Sequence, residues 1–125
     1  LIANDAELFS AGANLAAMVG FVMEKNFKAI DGVIRTFQLM TQRIHYASKP
    51  SVPVLQGRAF GGACEIIMAA PHVVAAAESY IGLVELGVGL IPGGAGCMRL
   101  AKQASRLAAE QTATAIEPFL RQHWQ

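Results

Sequence analysis

No run of 18 or more uncharged apolar residues occurs in this sequence, so no segment meets the length that a membrane-crossing helix needs. The best stretch, from Phe60 to Ala77, is interrupted by Glu65, Pro71 and His72. Charge is also scarce. Ten basic and nine acidic side chains leave a net +1, and no block of Lys and Arg gathers them into the footprint of a nucleic-acid binder. Only two cysteines occur, Cys64 and Cys97, without a CxxC pair or a histidine-rich neighbourhood. That argues against a zinc site and against a disulfide framework, and it fits a reducing compartment, bacterial cytoplasm or a matrix-like space. A dinucleotide fingerprint is missing, so NAD chemistry would need a part of the polypeptide outside these residues. There is no internal repeat, no low-complexity tract and no Pro/Ser-rich linker. The opening LIANDAELFSAG has no initiator Met, no basic leader and no Arg/Ser-rich presequence; it reads as the tail of a strand, with the domain boundaries expected outside the chain.

What is present is apolar and compact in scale. The 125 residues are 54% hydrophobic with a mean hydropathy of +0.39, above an average soluble domain, so a large buried surface is expected within one unit. Leu15, Met18, Val19 and Val22 recur at helical spacing after the small-residue stretch Phe9–Asn14, placing a helix start near Asn14. From Phe27 to Ala47 the positions Ile30, Val33, Ile34, Phe37, Met40, Ile44 and Ala47 form an apolar stripe, with Arg35, Gln38 and Gln42 on the other face. Lys49-Pro50 ends that helix. Ser51–Gln56 reads as a strand, Gly57–Gly62 as a loop, and Ala63–Ala70 as an apolar helix closed at Pro71. His72–Ala77 and Tyr80–Gly82 read as further strands, and Leu83–Gly89 as a loop. Cys97–Ala109 and Ile116–Trp124 read as two helices, with Phe119, Leu120 and Trp124 on one face of the second. Helices alternating with short strands indicate an α/β fold.

Three places carry possible chemistry. Gly12-Ala13 and Gly61-Gly62 each join a strand to a helix start, where free amides and the positive end of the helix dipole face outward. Each glycine pair alone is an ordinary turn. Two such amides converging on one point make an oxyanion hole, a fixed arrangement of high catalytic value. Glu65, inside FGGACEIIMAA, is either a first-turn acid favoured by the dipole or a buried functional carboxylate. Glu85, between Val84 and Leu86, is either an exposed loop acid or its partner. Two acids in apolar surroundings can hold different pKa values, as acid/base work at neutral pH requires. His45 and His72 have no partner at metal-ligand spacing, Cys64 has no histidine near it in sequence, and Met18, Met23, Met40 and Met68 read as core or as pocket filling, with core favoured.

These segments resemble the crotonase, or enoyl-CoA hydratase/isomerase, superfamily. Phe9-Ser10-Ala11-Gly12-Ala13-Asn14-Leu15 is similar to its first oxyanion segment. Lys49-Pro50 through Glu65 follows the pattern KPxxxxxxGxxxGGxxE, and Glu85 through Gly96 the segment ending IPGGxG; order and spacing agree from Leu1 to about Leu107. The resemblance implies an α/β crotonase-like spiral, with residues 1–125 forming the central part of one acyl-CoA-binding domain incomplete at both ends. It implies the amides of Ala13 and Gly62 on a thioester oxygen, Glu65 and Glu85 as the hydratase carboxylates, and Ala11, Gly12, Gly61, Pro92 and Gly93 around the substrate. The expected reaction is addition of water to a 2-enoyl-CoA in fatty-acid β-oxidation, with no metal or redox cofactor, coenzyme A arriving as part of the substrate. Enoyl-CoA isomerisation, or a non-catalytic assembly subunit, is the alternative. The resemblance also implies a homo-oligomer, a trimer or multiple of one. Two departures stand out: Asn14 replaces the usual Asp of Gly-x-Asp, and no basic residue for the CoA phosphates follows at Ala16-Ala17. The Asn form resembles hydratase modules fused to 3-hydroxyacyl-CoA dehydrogenase domains.

Overall fold

The computed structural model describes residues 1–4 and 6–123, the segment 113–123 through its backbone. Its strands are short and lie in two parallel sheets. One contains β1 (Ile2–Ala3), β2 (Pro53–Leu55) and β4 (Val74–Ala75) in the order β1-β2-β4, with Ile2 opposite Pro53 and Val54 opposite Val74. The other pairs β3 (Arg58–Phe60) with β5 (Tyr80–Gly82), and Ser10 bridges to Ala59 on the same parallel pattern.

Read along the chain, these pairings describe a spiral. Each pass lays a strand in the first sheet, then one in the second, then leaves through a helix. The first pass is β1, Ser10, then α1 (Leu15–Met23) and α2 (Phe27–His45). The second is β2, β3 and α3 (Gly62–Ala69), and the third is β4, β5, a 3₁₀ turn at Glu85–Val88 and α4 (Gly96–His123). Parallel strands need long returns, and here helices provide them. A repeated architecture therefore exists without a sequence repeat, because the passes differ in length and share only their hydrogen-bonding pattern. One consequence governs the site: the chain leaves the second sheet at Ser10, Phe60 and Gly82, so the loops after these residues lie along one edge.

Local sequence accounts for the helix starts. Asn14 Oδ1 accepts the Ala17 amide at 3.2 Å and caps α1, and Asn26 Oδ1 accepts the Ala29 amide at 3.1 Å and caps α2. The expected strand at the start, the helices after Asn14, Phe27 and Gly61, and β5 all stand. Three readings are corrected. Gly57–Gly62 is not all loop, because Arg58–Phe60 forms β3: Ser10 N–H donates to Arg58 O, Phe60 N–H to Ser10 O, and Gly61 N–H to Gly82 O. The loop around Glu85 closes into a 3₁₀ turn ended by Gly89 at φ 74°. The two helices expected after Gly96 are one, Gly96–His123, since no glycine or proline interrupts the backbone between Cys97 and Ile116. The face formed by Phe119, Leu120 and Trp124 lies outside the described side chains.

The core is smaller than the composition predicts. Leu55, Ala59, Ala63 and Ile67 are buried together with Phe9 packed on them, so the core sits where β2, β3 and α3 meet. Helix α3 is buried on most sides, as an apolar helix at the centre of a fold should be. By contrast α1 is more apolar still and has no buried residue, and in α2 the buried residue is Thr41. The stripe read on α2 is half-covered at Phe37, which packs on Gly62 and Gly94, and at Ile44, and it is exposed at Val33 and Met40. Among the described residues no helix is long and apolar enough to cross a membrane.

Candidate active site

The edge at which the three passes leave the second sheet brings the sequence-predicted residues together. Gly12 has φ +90°, and a Cβ there would stand 2.8 Å from Phe60 O and 3.4 Å from the Gly62 amide nitrogen. The first glycine turn therefore lies directly against the second, an approach that only a residue without a side chain permits. The Gly12 amide is turned back onto Ser10 Oγ at 3.1 Å. Among the described residues no hydrogen bond takes up the amide of Ala13 or of Gly62, the latter at the first position of α3, ahead of any intrahelical acceptor.

The strained backbone of the second turn is at Gly61, with φ 57° and ψ −123°, not at Gly62. Gly62 is crowded for a different reason. A Cβ there would stand 3.1 Å from Phe37 Cζ, so the ring would have to give by a few tenths of an ångström, and Phe37 of α2 also closes on Gly94. Phe37, which its spacing marks only as a core residue, is thus the ring over both glycine segments; it also lines an open apolar groove of about 470 Å³ with Ala29, Val33 and Met40.

Glu65 lies one turn into α3 and is 1% exposed. Its Oε1 accepts two amides, from Gly94 and from Gly96, each at 2.7 Å. Among the described residues no hydrogen bond reaches Oε2. Burial pushes the carboxyl above the ordinary carboxylate range; the Gly96 and Gly94 amides oppose that, Glu85 adds to it and Arg99 opposes it. Glu85 is thus close enough for its charge to act on the Glu65 carboxyl. Glu85 opens the 3₁₀ turn directly after β5 and reaches back to the second glycine turn: its Oε1 is 3.2 Å from where a Gly61 Cβ would sit, and its buried Oε2 has no hydrogen-bond partner.

The 91–96 loop, prominent in the sequence for its glycines, is bound from two sides. Glu65 holds its amides, while α2 holds its carbonyls: Gln38 Nε2 donates to Gly93 O at 2.8 Å, and the Thr41 hydroxyl reaches Gly94 O at 3.2 Å and Gln38 O at 3.0 Å. Arg99 of α4 adds a 3.4 Å contact from Nη2 to Thr41 O. Of the expected substrate-contacting positions, Gly12 and Gly61 stand at the site. Ala11 is exposed at its edge, and Pro92 and Gly93 are half-buried, Gly93 turned with its carbonyl toward α2. Sequence reasoning missed Gln38, Thr41 and Arg99. Gln38 is on the polar face of α2, and a threonine beside an apolar stripe gives no sign that it is fully buried. His45 is engaged at Nδ1 with Ala69 O, and Cys64 is buried with its thiol pushed up by burial, then by Glu85 and Glu65.

A family model described as Enoyl-CoA hydratase/isomerase matches residues 1–122. The chain belongs to that family. Its fold is the crotonase fold. An enoyl-CoA hydratase from Polaromonas sp. JS666 superposes with a TM-score of 0.75 at 26% identity, over 80% of this chain and 38% of that one. An enoyl-CoA hydratase from Thermoplasma volcanium GSS1 gives 0.71 at 26% identity, over 90% and 44%. Among curated proteins, a Bacillus subtilis (strain 168) protein named "Probable 3-hydroxyacyl-CoA dehydrogenase" is 40% identical over 73 residues, 58% of this chain and 9% of that protein. The chain thus spans less than half of the solved hydratases and under a tenth of that curated relative.

Proposed function

We propose that the protein containing this chain adds water reversibly across the double bond of a 2-enoyl-CoA, as part of fatty-acid β-oxidation. The observation that carries the reading is that Glu85 reaches the second glycine turn and acts on the buried Glu65 carboxyl, beside amides at Ala13 and Gly62 that have no hydrogen-bond partner among the described residues. In this reading both amides donate to the thioester carbonyl oxygen and stabilise the enolate-like charge that develops there. Ala11, Gly12 and Gly61 leave room for the thioester, with Pro92 and Gly93 behind it. Water held between Glu65 Oε2 and Glu85 Oε2 gives its oxygen to C3 and one proton to the ionised carboxylate of the pair, while the protonated carboxyl of the pair gives its proton to C2. The net change is one water added to one double bond. The pair holds the same number of protons before and after, a proton passing between the two carboxyls to restore the starting state, and the reaction draws on no metal or redox cofactor.

The similarity to a protein named as a 3-hydroxyacyl-CoA dehydrogenase supports a fused arrangement, in which NAD would be bound by a separate domain acting on the hydrated product. A homo-oligomer belongs to the same proposal. The test is to add the complete protein to a short 2-enoyl-CoA and follow the ultraviolet band of the conjugated thioester. Loss of the band is expected. An unchanged band there, with a band growing in from a 3-enoyl-CoA, would replace hydration by double-bond isomerisation.

A further inference from the structure

We infer that Gln38 and Thr41, through the main chain of the 93–96 loop, are positioning residues that fix the geometry and proton affinity of Glu65. The inference rests on the acid/base role proposed for Glu65, and goes beyond it by naming what holds that carboxylate in place from a different helix.

In a trans peptide the C=O and the N–H of the next residue point in opposite directions from one rigid plane. Gly93 O and Gly94 N belong to the same plane, and no peptide bond here is cis. Gln38 Nε2 donates to that oxygen at 2.8 Å, and the matching N–H donates to Glu65 Oε1 at 2.7 Å. A donor on the carbonyl side polarises the peptide and strengthens the N–H as a donor, so Gln38 acts on Glu65 without a hydrogen bond to it. Thr41, 0% exposed, holds the next carbonyl, that of Gly94, at 3.2 Å. The second amide on Glu65, from Gly96, follows at the next plane but one.

Bringing the Gly94 and Gly96 amides onto one oxygen requires the backbone between them to turn sharply, and the residue that turns is Ala95, at φ 83°. A non-glycine residue there is disfavoured and persists only where surrounding contacts impose the conformation. The contacts that impose it are the ones named: Glu65 on the amide side, Gln38 and Thr41 on the carbonyl side. The other ionisable groups facing Glu65 are Glu85 from the 3₁₀ turn, Arg99 from α4 and Cys64 beside it on α3; α2 brings the uncharged Phe37, Gln38 and Thr41. Removing a polar side chain of α2 therefore changes no charge; the loop carries the shift to Glu65, and Arg99, held 3.4 Å from Thr41 O, is the other route, which leaves Gln38→Leu as the variant that acts on the loop carbonyl alone.

The test uses Thr41→Val and Gln38→Leu in the complete protein, with Thr41→Ser as the conservative control. Two readouts are needed: the pH dependence of kcat, and titration of Glu65 in the unliganded protein from the infrared carboxylate difference between each form and its Glu65→Gln counterpart. Each disruptive variant is expected to lower kcat about tenfold with little change in KM, the scale of a small misplacement of a catalytic group. Weaker amide donation destabilises the carboxylate, so the Glu65 titration should move up by about half a pH unit. Thr41→Ser should restore both values. Ala95→Gly, which relieves the strained turn, should recover part of the loss in the Thr41→Val background. An unmoved infrared titration in the variants overturns the inference whatever happens to kcat. If Thr41→Val does not fold, Gln38→Leu, at an exposed position, decides the question by the same titration. Should the wild-type protein add no water to 2-enoyl-CoA, the hydration reading fails while the infrared titration still judges the link from α2 to Glu65.

Discussion

Glu65 follows the second glycine turn in the chain and Glu85 reaches that turn from the 3₁₀ helix, yet the two regions that carry them are built in opposite ways. The start of α3 is the most enclosed part of the molecule: Ala63, Cys64, Glu65 and Ile67 are buried, and Glu65 Oε1 is fixed by two amides. The 3₁₀ turn at Glu85–Val88 has no buried residue; Leu86 and Val88 are exposed, and Glu85 reaches inward with an unpartnered Oε2. One carboxylate is held by the scaffold, and the other is held by the turn that presents it. A pair of acids need not share an environment to serve the one reaction proposed for them: Glu65 is fixed by two amides, and Glu85 keeps an oxygen with no hydrogen bond among the described residues.

The strongest way to break that comparison is to remove each acid in turn. Glu65→Gln and Glu85→Gln should each lower kcat for hydration by at least about a hundredfold, the scale of a positioned acid or base, with KM little changed. Steady-state kinetics on the complete protein checks this. Wild-type turnover by Glu85→Gln would reduce the pair to one working acid and favour isomerisation; indifference at both positions would remove the enzymatic reading altogether.

A second substitution acts on the less braced side alone. Gly61→Ala places a methyl group 3.2 Å from Glu85 Oε1 on a residue at φ 57° and ψ −123°, a conformation strained for any side chain. Glu85 should be displaced while the amides of Gly94 and Gly96 stay on Glu65. We expect kcat to fall roughly tenfold, with a loss of about 1–3 kcal/mol in stability from backbone strain. A crystal structure of the variant with Glu85 unmoved, or one in which Glu65 has left the 94–96 loop, would contradict the division between the two regions.

The sequence made much of this legible because the spiral needs certain residue types at fixed places. Glycines at 12 and 61 and an acid one turn into α3 can be read from spacing, and so can the strand-to-helix junctions that align them. β3 was hidden because Arg58–Phe60 is flanked by glycines, and local chemistry favours a loop there; only pairing with Ser10 and Tyr80, distant in sequence, makes it a strand. The unbroken α4 escaped because the weakly patterned stretch between Ala109 and Ile116 looks like a connection, although it contains no residue that stops a helix. Gln38 and Thr41 were invisible for a deeper reason. Their partners are main-chain carbonyls, and a carbonyl leaves no mark in the sequence.

The smallest expected effect concerns proton linkage, and it separates the two regions without any substrate. Glu65 has its carboxyl raised above the ordinary value of 4.5, first by burial. Between that value and the raised one, the unfolded chain has lost the proton while the folded chain still holds it. Stability contributed by this group is therefore full at low pH and falls as pH rises through the window, levelling off once the folded carboxyl has also ionised. In Glu65→Gln that slope should vanish. The readout is hydrogen exchange of the α3 amides in the complete protein, taken as the difference between wild type and variant at each pH, which cancels the intrinsic pH dependence of exchange and the contributions of other domains. Cys64, whose thiol is pushed up by burial, stays protonated throughout and does not interfere. The variant should gain protection relative to wild type as pH rises from about 4.5 toward neutrality. A difference that is flat, or that runs the other way, would mean that the two amides on Oε1 outweigh burial, and that the enclosed carboxylate is stabilised in its charged form by the loop that clasps it.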